Sequence, residues 1–180
     1  QLPSNGNRAN YLFNTGIANI DDADALLIIG SNPRREAPVL NARIRKRWVA
    51  GNFPIGIIGQ DEDLTYPATH LGNGAETLAE LASGKGSFFS ILKKAKRPML
   101  IIGQSALARE DGLAVLEAAI ELATQSKMVS DDWNGFNVLH SAAARVAGAQ
   151  GAVRALATAR PQVVGAARAG LTPALPPLHC

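Results

Sequence analysis

The sequence predicts an α/β fold: a doubly wound, mostly parallel sheet with helices on both faces. Three short aliphatic segments share one pattern, in which the run closes with Ile-Ile-Gly: 25–30, 54–59 and 98–103. Continuous apolar residues are typical of strands covered on both faces, and a terminal glycine lets the backbone turn tightly. Helical patterns lie between the segments, so we expect neighbouring or near-neighbouring parallel strands joined by crossovers.

The helices are predicted from the spacing of apolar residues and from end signals. In the helix expected over 38–49, Leu40, Ile44 and Trp48 recur at every fourth position. They share one face, which we expect to be buried against the sheet while Lys46 stays in solvent. Further helices are expected over 75–82, from Ser87 to about Lys96, and from about Asp111 to about Gln125.

Three weaker assignments complete the predicted order of elements. Residues 11–15 suggest a short helix leading into the acidic turn Asp21-Asp22, and Met128-Val129 suggests a fourth short strand. A last helix is expected to carry Val138, Leu139, Ala142 and Val146.

Composition excludes several classes of protein. With 47% hydrophobic and 18% charged residues, the chain is too apolar for a disordered protein. No aliphatic run approaches the roughly 18 consecutive apolar residues that a membrane-spanning helix needs. The single cysteine, Cys180, excludes an internal disulfide, a four-cysteine zinc site and an iron–sulfur cluster ligated by the cysteines of this chain alone. Because Gln1 is not an initiator methionine and no signal segment follows it, we expect a fragment of a longer product.

The charges divide the chain into two unequal parts. All 15 acidic residues lie at or before Asp132, where the net charge is −1, whereas the remaining residues carry four arginines, no acid and a charge of +4. The overall charge of +3 is therefore no argument for a nucleic-acid-binding face on the main body. We expect an α/β domain over 1–150 and a divergent, poorly ordered tail over 151–180. A shifted reading frame would explain the Ala, Arg, Gly and Pro bias of this tail, and a naturally divergent linker is the alternative.

Three loops are predicted to meet at one edge of the sheet. Ligands of open parallel sheets bind beyond the carboxyl ends of the strands, and small polar side chains with free backbone N–H groups suit a nucleotide or a diphosphate. The alternative is that the glycines only end strands and the polar residues only form turns. The candidate cofactor-binding residues are Gly30, Ser31, Asn32, Pro33, Gly59, Gln60, Gly103 and Gln104.

No catalytic motif is complete in the sequence. Gly84-Lys85 is not a phosphate-binding Walker loop, because Ala79 and Gly86 replace its first glycine and its Ser or Thr. Thr77 stands where a dinucleotide fingerprint beginning at Gly72 needs its third glycine. The three histidines, His70, His140 and His179, are too scattered to indicate a metal site. We therefore predict no catalytic residue and no metal ligand.

A basic cluster lies on the helix expected over 38–49. Arg43, Lys46 and Arg47 follow helical spacing, and Arg34-Arg35 precede them. This patch is suited to a phosphate or an acidic partner. The alternative is a solvated face whose long side chains cover neighbouring apolar surface.

A specific family resemblance extends over several loops. It rests on Arg8, Tyr11-Leu12-Phe13-Asn14, Gly30-Ser31-Asn32-Pro33-Arg34, Glu36 through Lys46, Asp63-Leu64-Thr65-Tyr66, His70-Leu71-Gly72, Gly103-Gln104-Ser105-Ala106-Leu107 and Asn137-Val138-Leu139-His140. Over roughly residues 8–149 the sequence resembles the G subunit of NADH-quinone oxidoreductase, which is the large iron–sulfur subunit in the peripheral arm of respiratory complex I. The resemblance covers loop residues that apolar periodicity does not dictate, so we take it as specific.

The resemblance implies a molybdopterin oxidoreductase-like domain within an electron-transfer subunit. In molybdenum enzymes of that type a Gly-x-Asn-Pro loop contacts the pterin guanine dinucleotide, so the matching loop Gly30-Ser31-Asn32-Pro33 is expected to be vestigial. The subunit would pass electrons from NADH towards quinone through 2Fe-2S and 4Fe-4S clusters held upstream of Gln1, with no cofactor, metal or chemistry in this segment alone. Its implied partners are other peripheral-arm subunits of complex I, not nucleic acid. Its implied place is peripheral, without membrane insertion, on the cytoplasmic side of the bacterial inner membrane or on the mitochondrial matrix side.

Two other functions remain open at the level of sequence. A fragment of an active molybdopterin enzyme, similar to formate dehydrogenase, would share the Gly-x-Asn-Pro loop. A stand-alone nucleotide-binding module would share the three-loop edge.

Overall fold

Five short strands form one sheet in the computed structural model, which describes residues 12–140. The strands are β1 (Ala25–Ile29), β2 (Ile55–Ile58), β3 (Thr69–Gly72), β4 (Pro98–Gly103) and β5 (Phe136–Leu139). Their order in the sheet is β3-β2-β1-β4-β5, and every neighbouring pair is parallel. The prediction that the three Ile-Ile-Gly segments are parallel and adjacent is confirmed, with β1 between β2 and β4.

The crossovers between the three Ile-Ile-Gly strands are helical, as predicted, whereas the connection from β2 to β3 contains no helix. The helices are α1 (Pro33–Glu36), α2 (Pro38–Val49), α3 (Ala75–Ala82), α4 (Ser87–Lys94), α5 (Gln104–Leu107) and α6 (Gly112–Gln125), and a 3₁₀ turn spans Ala18–Asp22. Helix α4 begins at the predicted residue but ends before Lys96, because the backbone turns extended at Ala95. Asp111 precedes α6, as expected, although its side chain makes no capping hydrogen bond.

The core consists of two layers, one on each face of the sheet. Strand β1 is buried along its whole length, and its residues alternate between the layers. Leu27 contributes to the layer under α3, α4 and α6, whereas Leu26 and Ile28 contribute to the layer under α2 and the 3₁₀ turn. This double coverage explains why the strand sequence is continuously apolar.

Helix α2 buries the predicted face only in part. Leu40 and Ile44 are buried, at 2% and 0% exposure. Trp48, which the spacing placed on the same face, is only half-buried, because it lies at the last turn of α2, where the packed layer ends. Lys46 is in solvent, as predicted, and its Nζ lies 3.3 Å from the Asp21 carboxylate.

Two predicted elements, one near the first described residues and one after α6, are wrong. Residues 12–15 form no helix: Phe13 makes an antiparallel bridge to Asn137 of β5, and the helical turn that the structure describes before β1 is the 3₁₀ turn. Val129 makes only an isolated bridge to Asn134 and is not part of the parallel sheet. At Phe13 a long-range pairing, which a local pattern does not describe, decides the conformation.

Residues 136–139 form strand β5 and not the predicted last helix. Phe136 and Val138 favour extended structure, and the open edge of β4 provides the backbone partner that overrides the helical spacing of Val138 and Leu139. The other two residues assigned to that helix, Ala142 and Val146, and the predicted tail over 151–180 lie outside the described residues. No helix among residues 12–140 is both long and apolar enough to cross a membrane.

Candidate functional site

A cavity of about 300 Å³ lies at the carboxyl edge of the sheet. The loops after β1 and β2 and the start of α3 form much of its wall, and Ser105, Ala106 and Arg109 close it from beyond β4. The strand order reverses between β1 and β4, which is where open α/β sheets bind their ligands. The cavity therefore occupies the place that the fold favours for a ligand.

The structure brings together most of the predicted site residues. Gly30, Ser31, Asn32, Gly59 and Gln60 line the cavity. The other three do not: Pro33 is buried as the first residue of α1, and Gly103 and Gln104 are buried behind the loop at the start of α5.

Gly30 is the residue against which the neighbouring loops pack. Its backbone has a φ of +53°, and a Cβ at this position would lie 2.6 Å from Cβ of Ala106. Gly59 lies beside it, since a Cβ there would be 3.5 Å from Cα of Gly30. A Cβ on Gly103 would collide with the Gly30 carbonyl oxygen, to which the Ser105 hydroxyl donates a hydrogen bond of 2.7 Å. Glycine at positions 30 and 103 therefore allows the ends of β1 and β4 to approach this closely.

The loop after β1 donates hydrogen bonds to a carboxylate of its own chain. Ser31 Oγ donates to Glu36 Oε2 at 3.1 Å, and the backbone N–H of Asn32 donates to Glu36 Oε1 at 2.9 Å. Glu36 can contact the loop because it lies at the end of α1, which is a single helical turn. Asn32 caps this turn, since its side chain accepts a hydrogen bond from the Arg35 N–H. One carboxylate thus takes two adjacent donors of the loop.

A second carboxylate takes the remaining side-chain donor of the loop. The Asn32 Nδ2 donates to Glu62 Oε2, which comes from the segment after β2. The guanidinium of Arg35 lies 3.7 Å from the same oxygen, in an exposed and weak pairing. Glu36 and Glu62 together satisfy the polar side chains of the predicted binding loop.

The charges that line the cavity favour cations over anions. Among the described residues, Arg109 is the only cation in the lining, and its guanidinium is paired with the Asp111 carboxylate at 2.9 and 3.2 Å. Three carboxylates, those of Glu36, Glu62 and Asp111, line the same space. These side chains therefore carry a net charge of −2, which opposes an anionic ligand.

His70 joins the edge of the cavity to strand β3. Its Nε2 lies 2.6 Å from the Gly59 carbonyl oxygen and 2.9 Å from Oδ1 of Asn73, and both acceptors favour the protonated ring. The hydrogen bond to Gly59 is the main cause that raises the pKa of His70, with Asn73 second. The side chain is exposed and is held by two cavity-lining residues.

The basic cluster on α2 is paired largely within the chain. Arg43 and Lys46 each lie 3.3 Å from the Asp21 carboxylate. Arg47 donates to the Ala23 carbonyl oxygen at 2.8 Å and lies over the ring of Phe53. This geometry supports the interpretation as a solvated face whose side chains cover apolar surface.

The two arginines before α2 meet acids of the segment after β2. Arg34 contacts Asp63 at 2.6 Å, and the pKa of Asp63 is lowered by the Thr65 N–H and by this guanidinium. Arg35 faces Glu62, as described above. Glu62 and Asp63 therefore face the two cations that a phosphate would otherwise meet here.

The glutamates were not among the residues predicted from sequence. Glu36 follows Asn32 by four positions, a spacing compatible with one helical turn, but no motif links it to the glycine loop. Glu62 is 30 residues away in sequence, so only the pairing of β1 with β2 brings it to the loop.

A diphosphate group does not fit the loop as it stands. The Ser31 hydroxyl, the Asn32 N–H and the Asn32 amide already donate to carboxylates, which a diphosphate would have to displace. Within residues 12–140, no group of three or more His, Cys, Asp or Glu residues is arranged to hold a metal ion. The site can accept hydrogen-bond donors or positive charge, and the donors of its loop are already taken by carboxylates.

Comparison with known proteins places the chain in a family. The molybdopterin oxidoreductase family pattern matches residues 2–172. The NADH-ubiquinone oxidoreductase 75 kDa subunit of Reclinomonas americana is 42% identical over 139 residues, which cover 77% of this chain and 20% of that protein. The G subunit of the NADH-quinone oxidoreductase of Rickettsia conorii is 45% identical over 141 residues, 78% of this chain and 21% of that protein. The chain thus spans about a fifth of the length of these relatives.

Several solved structures match the chain, and one of them does so at low identity. It is the formyltransferase/hydrolase complex of Methylorubrum extorquens, determined with methylofuran, with a TM-score of 0.49 and 17% identity. The match covers 71% of this chain and 39% of that one.

Proposed function

The chain belongs to the molybdopterin oxidoreductase family, and from that premise we propose that it is a scaffold segment of the large subunit of an NADH-quinone oxidoreductase. In this role it supports the electron path from NADH towards quinone and carries out no chemical step itself. The loop Gly30–Pro33 and the residues Gly59, Gln60, Gly103 and Gln104 are then the remains of a cofactor edge.

One observation carries the proposal: the identity of 42–45% to the 75 kDa and G subunits named above, over more than three quarters of this chain. The geometry of the cavity supports it, because the polar side chains of the loop after β1 are satisfied by Glu36 and Glu62.

The cofactors and location of the whole subunit are part of the same proposal. We expect 2Fe-2S and 4Fe-4S clusters to be bound by residues upstream of Gln1 in the complete subunit. We also expect contacts with other peripheral-arm subunits of complex I. The complete subunit would lie peripherally, on the cytoplasmic side of a bacterial inner membrane or the matrix side of a mitochondrial one.

Copurification tests this proposal directly. The complete subunit would be tagged in its own organism, isolated from detergent-solubilised membranes, and assayed for NADH-quinone oxidoreductase activity, iron and molybdenum. We expect activity and iron to follow the tag, without stoichiometric molybdenum. A tagged protein that separates from the activity, or that carries one molybdenum per chain as an active molybdopterin enzyme would, contradicts the proposal.

A further inference from the structure

Glu36 and Glu62 lie where a bound anion would meet the loop after β1. In folds of this class, phosphate groups bind to the loop that follows a strand at the point where the strand order reverses. Here that loop already holds an anion, but the anion is the carboxylate of Glu36, bound by Ser31 Oγ at 3.1 Å and by the Asn32 N–H at 2.9 Å.

We propose that the carboxylates of Glu36 and Glu62 are internal substitutes for a phosphate ligand, and that they make this cavity reject diphosphate-containing cofactors. The inference rests on the proposed function, because it explains how a member of a cofactor-binding family becomes a scaffold without losing the cavity. Glu36 and Glu62 are specificity-determining residues in this account: they decide which ligand charge the cavity accepts.

The first argument is that the donors are occupied. A carboxylate and a phosphate accept the same N–H and O–H donors, and charged acceptors bind them more strongly than neutral ones do. Asn32 donates through its backbone to Glu36 and through its side-chain amide to Glu62, so both its backbone N–H and its amide group are engaged by internal anions. An incoming phosphate would have to break these bonds before it made its own.

The second argument is the charge of the lining. Arg109 cannot offset Glu36 and Glu62, because it already pairs with Asp111 at 2.9 Å. A diphosphate in this space would meet two negative charges at short range, in a site partly shielded from solvent. The occupied donors and the like charge both oppose binding of a diphosphate. Removal of the two carboxylates removes both of these obstacles.

The third argument is that the space itself persists. The cavity of about 300 Å³ remains beside the loop, and Gly30 and Gly59 are among the residues that line it. The volume falls at the lower end of the range of small-molecule sites. Rejection of anions therefore comes from the two side chains and not from collapse of the site.

Isothermal titration calorimetry of the full chain with inorganic pyrophosphate tests the proposal. The main variant is E36A/E62A, which removes charge and vacates the donors. The second, E36Q/E62Q, removes only the charge and keeps acceptors for Ser31 and Asn32 in case the alanine variant does not fold. The matched control is E80A/E117A, since Glu80 and Glu117 are exposed on α3 and α6 and do not line the cavity.

We expect no saturable binding in the millimolar range for the unmodified chain and the control. Each cavity variant that folds should bind pyrophosphate at least about tenfold more tightly than the unmodified chain does. This gain in affinity should be smaller at high salt. Equal binding by the unmodified chain and the cavity variants, or no gain in any variant that keeps the unmodified melting curve, overturns the proposal. Either result leaves the role in the oxidoreductase untouched, because copurification with the activity judges that role separately.

Discussion

Gly30 is the residue on which the geometry of the cavity depends. Its φ of +53° lies in the left-handed region, and Ala106 occupies the space that a side chain would need. A larger residue here would have to move the start of α5, to which Ser105 ties the Gly30 carbonyl oxygen. Backbone strain and overpacking therefore act together at this position.

Substitution of Gly30 by alanine should destabilise the fold more than a glycine replacement in open space. For G30A we expect a loss of about 2–4 kcal/mol in the free energy of unfolding, from left-handed strain plus overpacking. The matched control is G51A, where φ is +88° but nothing lies within 4 Å of the added Cβ. Urea unfolding of both variants measures the difference, and a loss for G30A no greater than that for G51A would show that Ala106 yields easily.

The raised pKa of His70 predicts a pH dependence of stability. Because the hydrogen bonds to Gly59 and Asn73 raise the folded-state pKa above the ordinary value of 6.5, their stabilisation is fully present below that value. It should be lost as the pH rises through the folded-state pKa. Nuclear magnetic resonance titration of the ring checks the shift, and H70Q should lose this part of the pH dependence. A ring that titrates at or below the ordinary value contradicts the prediction.

At the scale of elements, polar and apolar contacts fix different parts of the molecule. Helix α2 is held by apolar burial, with Ile44 fully inaccessible against the sheet. The segment before the 3₁₀ turn is held by polar contacts instead: Asn137, at 0% exposure in β5, accepts from the Thr15 N–H at 2.8 Å and donates to the Thr15 hydroxyl at 2.8 Å. These two attachments should respond to different substitutions.

Truncation of Ile44 should reveal which face of α2 carries the stability. We expect I44A to lose about 2–4 kcal/mol, because it leaves a cavity in a closely packed layer. The control on the same helix is V39A, since Val39 is 73% exposed. Thermal or urea unfolding gives both values. A loss below about 0.5 kcal/mol for I44A would mean that the layer refills the space.

Replacement of Asn137 by alanine should weaken the attachment of the segment 12–15 to β5. The change leaves the buried Thr15 N–H and the Leu100 carbonyl oxygen without this side chain, so we expect a loss of about 2–3 kcal/mol. The exposed Gln125 offers the control Q125A, with an expected change within about 0.5 kcal/mol. Denaturant unfolding compares the two, and equal losses would show that the polar contacts of Asn137 contribute no more than a surface pair.

At the scale of the whole molecule, a strand could be predicted from the sequence when both of its faces are covered by helices. Strands β1, β2 and β4 are covered on both faces, so their residues are continuously apolar and their terminal glycines marked the cavity edge. Strand β3 could not be recognised, because Thr69 and His70 are exposed and only its pairing with β2 makes it a strand. The contacts of Asn32 with Glu36 and Glu62 depend on loop conformation, which apolar periodicity does not describe.

The two edges of the sheet should differ in protection from hydrogen exchange. At β5 the Val138 N–H donates to the Leu12 carbonyl oxygen at 3.0 Å, so this edge is partly paired, whereas β3 has exposed or half-buried residues throughout. We expect amide exchange to be slowest in β1 and β4, intermediate in β5 and fastest in β3. Mass spectrometry of exchanging peptides measures this order. Peptides of β3 as protected as those of β1 would contradict it.

The contact between Gly30 and Ala106 also constrains how this sequence can change over generations. The two residues lie in different crossovers, 76 positions apart, yet the space beside one is filled by the other. A lineage that reduced residue 106 to glycine would gain room for a side chain at position 30, while the reverse order of steps would pass through a destabilised intermediate. The order of substitutions at this edge is therefore constrained. The permissive change at position 106 must come before any side chain is added at position 30.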